Sequence, residues 1–237
     1  ARIVSPGGAA CLTVDDQTGR RADETRSDPP RVEYQGPHYV VVRREGALQT
    51  ESGETLGRYV VRLEFFAGSA TVKMQHSFIV TVDTNRTQFA DLSVRIAAPA
   101  AERRTAWFDV DAAPDDAPRT TELKRGETAY LLQADYPHHG RKTSRRELQG
   151  PGLAETSVTD GPDRPAAVGD WSAVAANDGG VLVAVPNAAQ LFPKEFEVDS
   201  AGVVAHLWSS RGGRLLDYRA AVLVDHWGVA WVDAKYP

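Results

Sequence analysis

Residues 57–83 read GRYVVRLEFFAGSATVKMQHSFIVTVD, and this stretch decides the fold class. Two runs rich in valine and phenylalanine alternate with a period of two, and Gly68-Ser69 stands between them as a tight turn. The pattern predicts a long β-hairpin with arms at 58–68 and 70–83. Along the second arm Val72, Met74, His76, Phe78 and Val80 fall on one face, the expected core face. Lys73, Gln75, Ser77 and Ile79 fall on the other.

The same alternation extends outward in both directions. HYVVVRREG (38–46) precedes the hairpin as a further strand, and strands are expected at 90–97, 105–111, 119–124 and 128–134. They resume at 171–176, 180–185, 194–199, 202–208 and 214–218. The polar, basic, Gly/Pro-rich residues 135–170 are expected to form a long loop. NAAQLF (187–192) can make one helical turn with Asn187 as N-cap before Pro193 resets the chain to extended structure. Strands do not alternate with helices, and no fixed-period repeat occurs, so the expectation is an all-β, antiparallel, two-layered protein with a boundary near 86–91.

Composition narrows the function. Of 237 residues, 42% are hydrophobic and 25% charged, which supports a packed core and excludes general disorder. The net charge of −5 leaves no excess of cations to neutralise phosphates, so nucleic acid is not an expected partner. No apolar run is long enough to cross a bilayer as a helix, and residues 1–10 have no apolar signal-peptide core. The chain starts without Met and ends on WVDAKYP, so it is expected to be processed or a piece of something longer. A lone Cys11 forms no internal disulfide and no multi-cysteine zinc site. Phosphate-loop, dinucleotide, zincin, serine-hydrolase and calcium-loop motifs are all missing.

Three features carry candidate chemistry. PHHGRKTSRRE (137–147) gathers His138, His139, Arg141, Lys142, Arg145 and Arg146 in an otherwise acidic chain. Guanidinium forks suit bidentate capture of carboxylates on a polyuronate, against the plainer reading of a solvated charged loop. Tryptophans 107, 171, 208, 227 and 231 are the second feature, since sugar rings stack on aromatic faces. Trp107 and Trp171 read as core, whereas Trp208, at a strand end beside SSRGG, is the better candidate for an exposed platform. The third is LFPKEFEVDSAGVVAHLW (191–208), where Lys194 follows Pro193 and His206 lies on the next strand. A rigidly held lysine serves as a base or a carboxylate anchor only if its surroundings lower its pKa; otherwise both are ordinary strand residues.

In order and spacing, the 57–83 stretch followed by VGDWSAVAANDGGVLVAVPNAAQLFPKEFEVDSAGVVAHLWSSRGGRLLDYR (168–219) resembles the exo-rhamnogalacturonan lyase and YetA-like family. That family carries R-L-x-F-F-A-G-S, a His-x-Phe strand, a Gly-Trp strand, F-P-K and H-L-W-P, the last standing here as HLWS. The resemblance implies a RIFT-type β-barrel, a central β-sandwich and a C-terminal α/α toroid. Residues 1–86 would be the end of the barrel and 87–237 the sandwich, with the toroid missing. It also implies β-elimination on uronate-containing, rhamnogalacturonan-like polysaccharide, in which a base takes the C5 proton of galacturonate and a cation neutralises its carboxylate. Lys194, His206 and Arg214 fall in or beside the matching motifs and are the expected catalytic residues. His138, His139, Arg141, Lys142, Arg145 and Trp208 are the expected saccharide contacts. The partner would be an acidic poly- or oligosaccharide, met in a secreted or periplasmic setting, with the cytoplasm and any cofactor left open. The competing readings are a carbohydrate-binding or structural sandwich without activity, and a protein-interaction module. Arginine, aspartate and alanine content suggests a bacterial source.

Overall fold

The computed structural model describes residues 12–98, 101–111, 117–135, 143–160, 167–177 and 179–221. The protein is all-β, and its strand pairings are antiparallel. Its contacts separate two units, one of Leu12–Ala90 with 215–221 and one of Asp91–Arg214.

The first unit is built from β1 (Leu12–Asp16), β2 (Arg21–Ser27), β3 (Arg31–Gln35), β4 (Tyr39–Thr50), β5 (Thr55–Phe66) and β6 (Val72–Val80). Its sheet runs β1-β2-β4-β5-β6, and β3 lies along β4 beyond the end of β2. The hairpin that anchors the sequence reading is β5–β6, with Leu63 opposite Met74 and Gly57 opposite Val80. The Phe78 ring lies over Gly57, where any Cβ would stand 2.5 Å from it, and packs edge-on against Phe89 with centroids 5.1 Å apart. His76 is on the packed face as expected: its Nε2 is 3.3 Å from Glu24 Oε1, and its ring is 5.8 Å from that of Tyr59. The opposite face carries a ladder of ion pairs, including Arg62–Glu33 at 2.6 Å and Lys73–Glu64 at 2.9 Å. Such exposed pairs contribute little to stability.

The second unit is a β-sandwich. Its strands are β7 (Phe89–Ala97, of which the part from Asp91 on belongs to this unit), β8 (Arg103–Asp111), β9 (Arg119–Lys124), β10 (Thr128–Asp135), β11 (Thr143–Gly150), β12 (Leu153–Asp160), β13 (Ala167–Ala176), β14 (Gly179–Ala184), β15 (Glu195–Asp199) and β16 (Gly202–Trp208). One sheet runs β12-β11-β10-β15-β16-β7 and the other β14-β13-β8-β9, so β14 is an edge strand. Period-two alternation sends Ala129, Leu131, Leu148, Phe196, Val198, Val203 and Ala205 inward from the first sheet. They meet Ala106, Phe108, Val110, Leu123, Val168 and Val174 of the second in one buried cluster.

Three local expectations are corrected. Residues 143–160, expected within a long loop, form the β11–β12 hairpin about the Pro151-Gly152 turn. Its inward positions include Ser144 and Arg146, which disguise the alternation. They are satisfied across the pair, Ser144 Oγ lying 2.6 Å from Thr159 Oγ1 and Arg146 Nη2 donating to Ser157 Oγ at 3.2 Å. Residues 214–218 make no strand but a single bridge, Phe89 to Leu216. Asn187 does not cap the 3-10 turn Ala188–Leu191 with its side chain; it takes a left-handed conformation at φ 59°, which asparagine tolerates.

Candidate functional site

The β15–β16 hairpin sets the site. Asp199 pairs with Gly202, and a Cβ at Gly202 would stand 2.2 Å from Ile96 O of the neighbouring strand, so only glycine fits there. Counting outward from this turn puts Glu195 opposite His206 and Glu197 opposite Val204. On the flanking strands Tyr130 stands opposite Glu197, and Ser93 opposite His206. A face of the large sheet away from the core therefore gathers Tyr130, Glu195, Glu197 and His206.

Their partners arrive from the turn after β16 and from the start of β7. Arg211 donates from Nε to Glu195 Oε1 at 2.9 Å and from Nη2 to Glu197 Oε2 at 2.8 Å, with its guanidinium 3.9 Å from the centroid of the Tyr130 ring. Ser209 Oγ donates to Glu195 Oε2, so Glu195, only 2% exposed, has both oxygens engaged. Asp91 accepts from His206 Nδ1 at 2.8 Å and from the Ser210 amide at 3.1 Å. Burial alone would raise the Asp91 pKa, but the His206 bond and charge with the Ser210 amide hold it below the usual 3.8. Burial likewise pulls His206 down, yet Asp91, aided by Glu195 and Glu197, prevails and lifts it above 6.5. His206 Nε2 is buried without a hydrogen-bond partner among the described residues.

The expected catalytic residues each engage different partners. Lys194 is 9% exposed, and its ammonium donates to the Leu191 carbonyl and, at 2.6 Å, to Leu207 O. Together with Gln133, which donates to Ala189 O at 2.8 Å, it fastens the 188–191 turn to the sheet. Arg214 stacks 5.0 Å from the Phe192 ring and reaches Asp135 at 3.4 Å. His206 alone joins the polar cluster. Among the expected saccharide contacts, Trp208 is half-buried, its indole N–H donating to Arg214 O at 2.9 Å. Arg145 is half-exposed on β11 and pairs with Glu147 at 3.1 Å. His138, His139, Arg141 and Lys142 lie outside the described residues, as do Trp227 and Trp231. Trp107 and Trp171, expected in the core, are half-buried, while their chain neighbours Ala106, Phe108 and Ser172 are the residues turned inward.

Sequence reading passed over Asp91, Tyr130, Glu195, Glu197 and Arg211 as site residues. The signal for the glutamates was present: with a turn at Ser200-Ala201, the register of EFEVDSAGVVAH places E-x-E against the histidine.

Burial holds the Lys194 pKa down at about 8 from 10.5. The folded state therefore binds fewer protons than the unfolded chain between those values, and stability rises with pH across that window. About two and a half units at about 1.4 kcal/mol each give a gain of roughly 3–4 kcal/mol across the whole window. Urea melts from pH 7.5 to 10 are expected to show this rise in the wild type and not in Lys194→Met. Equal slopes in the two proteins would overturn it.

Residues 13–106 match the family model described as the PcRGLX-like protein central beta sandwich domain. The matched span runs from β1 into β8. The likeness relates the chain, coarsely, to rhamnogalacturonan-lyase-like proteins. No curated protein and no solved structure matches the chain.

Proposed function

We propose that this chain is a β-sandwich portion of a polysaccharide-lyase-like protein, and that its residues bind and position uronate-containing, rhamnogalacturonan-like polysaccharide. The observation that carries this reading is the family match over residues 13–106. The binding role, rather than bond cleavage, is supported by the state of the candidate bases. Lys194 has its ammonium engaged by two backbone carbonyls, Arg214 is held by Phe192 and Asp135, and His206 has one nitrogen on Asp91 and the other buried. A free base within reach of a substrate proton is what β-elimination requires. The basic residues His138, His139, Arg141, Lys142 and Arg145 supply the anion-binding chemistry in this proposal, with Trp208 beside them in role. A polymeric substrate of this kind suits a secreted or periplasmic setting, with the cytoplasm left open, and no helix of the described residues is long and apolar enough to cross a membrane.

A second reading, β-elimination by this chain itself, is favoured by two observations, the Asp91–His206 pair and the burial that lowers the Lys194 pKa to about 8. The two are separated by incubating the protein with de-esterified rhamnogalacturonan and, separately, polygalacturonate. Calorimetry reads binding, and ultraviolet absorbance reads the conjugated uronate that only elimination creates. Binding with flat absorbance is the expected result. A rise in absorbance that Lys194→Ala or His206→Ala removes would transfer the chemistry to this chain, and no binding to either polymer would overturn the proposal.

A further inference from the structure

Glu195, Glu197 and His206 each offer a ligand atom, and these atoms lie within 4.8 Å of one another. Two carboxylates and an imidazole form a donor set suited to zinc and its first-row neighbours rather than to calcium, which takes oxygen ligands only. The histidine is prepared in the way such ligands are prepared. Its Nδ1 is tied to Asp91 at 2.8 Å, which fixes the ring, and its Nε2 is buried with no partner among the described residues. A buried ring nitrogen without a partner is costly and calls for an occupant. We propose that Glu195, Glu197 and His206 Nε2 form a binding site for a zinc-class divalent cation, with Asp91 as the residue that orients the histidine.

In the present arrangement the Arg211 guanidinium bridges the two carboxylates, doing electrostatically what the cation would do. Its side chain is 40% exposed and can swing into solvent, giving up its stack on Tyr130. The site thus has two exclusive states, arginine-in and metal-in. Tetrahedral coordination at about 2.0–2.2 Å sets ligand atoms roughly 3.4 Å apart, so the ligand atoms close in by up to about 1.4 Å on binding. Because β15 and β16 supply all three ligands, the ion would clip the hairpin. The inference rests on this geometry alone and stands or falls apart from the saccharide reading.

The test is calorimetric titration of the metal-stripped full chain with Zn²⁺, repeated with Ca²⁺, alongside circular dichroism to confirm folding. Zn²⁺ is expected to bind one per chain and more tightly than Ca²⁺. His206→Asn and Glu197→Gln are expected to abolish that binding, and Asp91→Asn to weaken it about ten- to a hundredfold. Arg211→Gln removes the competitor and is expected to tighten it, an effect that an incidental surface site would not show. Four-coordinate Co²⁺ would add a visible absorption band lost in His206→Asn. The proposal is overturned if neither the folded wild type nor Arg211→Gln binds Zn²⁺, or if binding is unchanged in His206→Asn.

Discussion

Asp91→Ala is expected to lower the unfolding free energy of the metal-free protein by about 3–5 kcal/mol at pH 5 to 6, the range for removing one partner of a buried charge pair. Asp91 is buried, and its carboxylate is the acceptor for both the His206 ring and the Ser210 amide. Removing it leaves an imidazolium buried without its counter-charge and an amide without its acceptor. The loss depends on pH with a sign set by both groups. The folded His206 pKa lies above 6.5, so its share of the stability is complete below 6.5 and fades as pH rises through the folded value. The folded Asp91 pKa lies below 3.8, so its share is complete above 3.8 and fades as pH falls through the folded value. The difference between wild type and Asp91→Ala, measured by urea melts in chelator, is therefore expected to be greatest between about pH 4 and 6.5 and to shrink on both sides. A difference that is flat from pH 4 to 9 would show that the pair is not charged in the folded state.

Phe196→Ala is expected to cost a similar amount, about 3–5 kcal/mol, through a different mechanism. The ring is 1% exposed and lies in the central cluster of the sandwich, with Leu131 and Ala205 as its cross-strand neighbours. Two packed sheets cannot collapse onto a missing ring without breaking the ladders that hold them, so a cavity remains. The cost should be independent of pH over the window in which the Asp91 variant varies. Phe196→Leu, which keeps most of the volume, should recover the larger part of the loss. A cost below about 1 kcal/mol for Phe196→Ala would mean that the two sheets do not share this core.

The all-β class was legible because residues 57–83 alternate with a period of two, which buries Tyr59 and Val61 and half-buries the Val72, Met74, His76, Phe78 and Val80 face while Lys73, Gln75 and Ile79 stay exposed, and the hairpin register follows from a glycine turn. The β11–β12 hairpin was not, because two of its inward positions are Ser144 and Arg146, whose burial depends on partners across the strand that no local pattern announces. The candidate site was half legible. His206 stood out as a residue type, but its importance comes from Asp91, 115 positions away in the chain. Lys194 drew attention through its neighbours in sequence, whereas the structure shows its ammonium engaged by the carbonyls of Leu191, in the adjoining turn, and Leu207, on β16. Arg211 was read only as part of a glycine-rich turn, and its reach to Glu195, Glu197 and Tyr130 requires the tertiary fold.

The edge strand β14 has a consequence for how the protein behaves in concentrated solution. Its sequence, GGVLVA, carries no charge, and Leu182 is 58% exposed upon it. A strand at a sheet's margin offers backbone donors and acceptors to any other strand, and charged or proline residues are the usual deterrent. Here the deterrents are brevity, at six residues, and the two glycines that open the strand and weaken its hold on an extended conformation. Resistance to self-association by strand addition would therefore rest on length rather than on charge, and Leu182 is the position at which a lysine would add the missing repulsion.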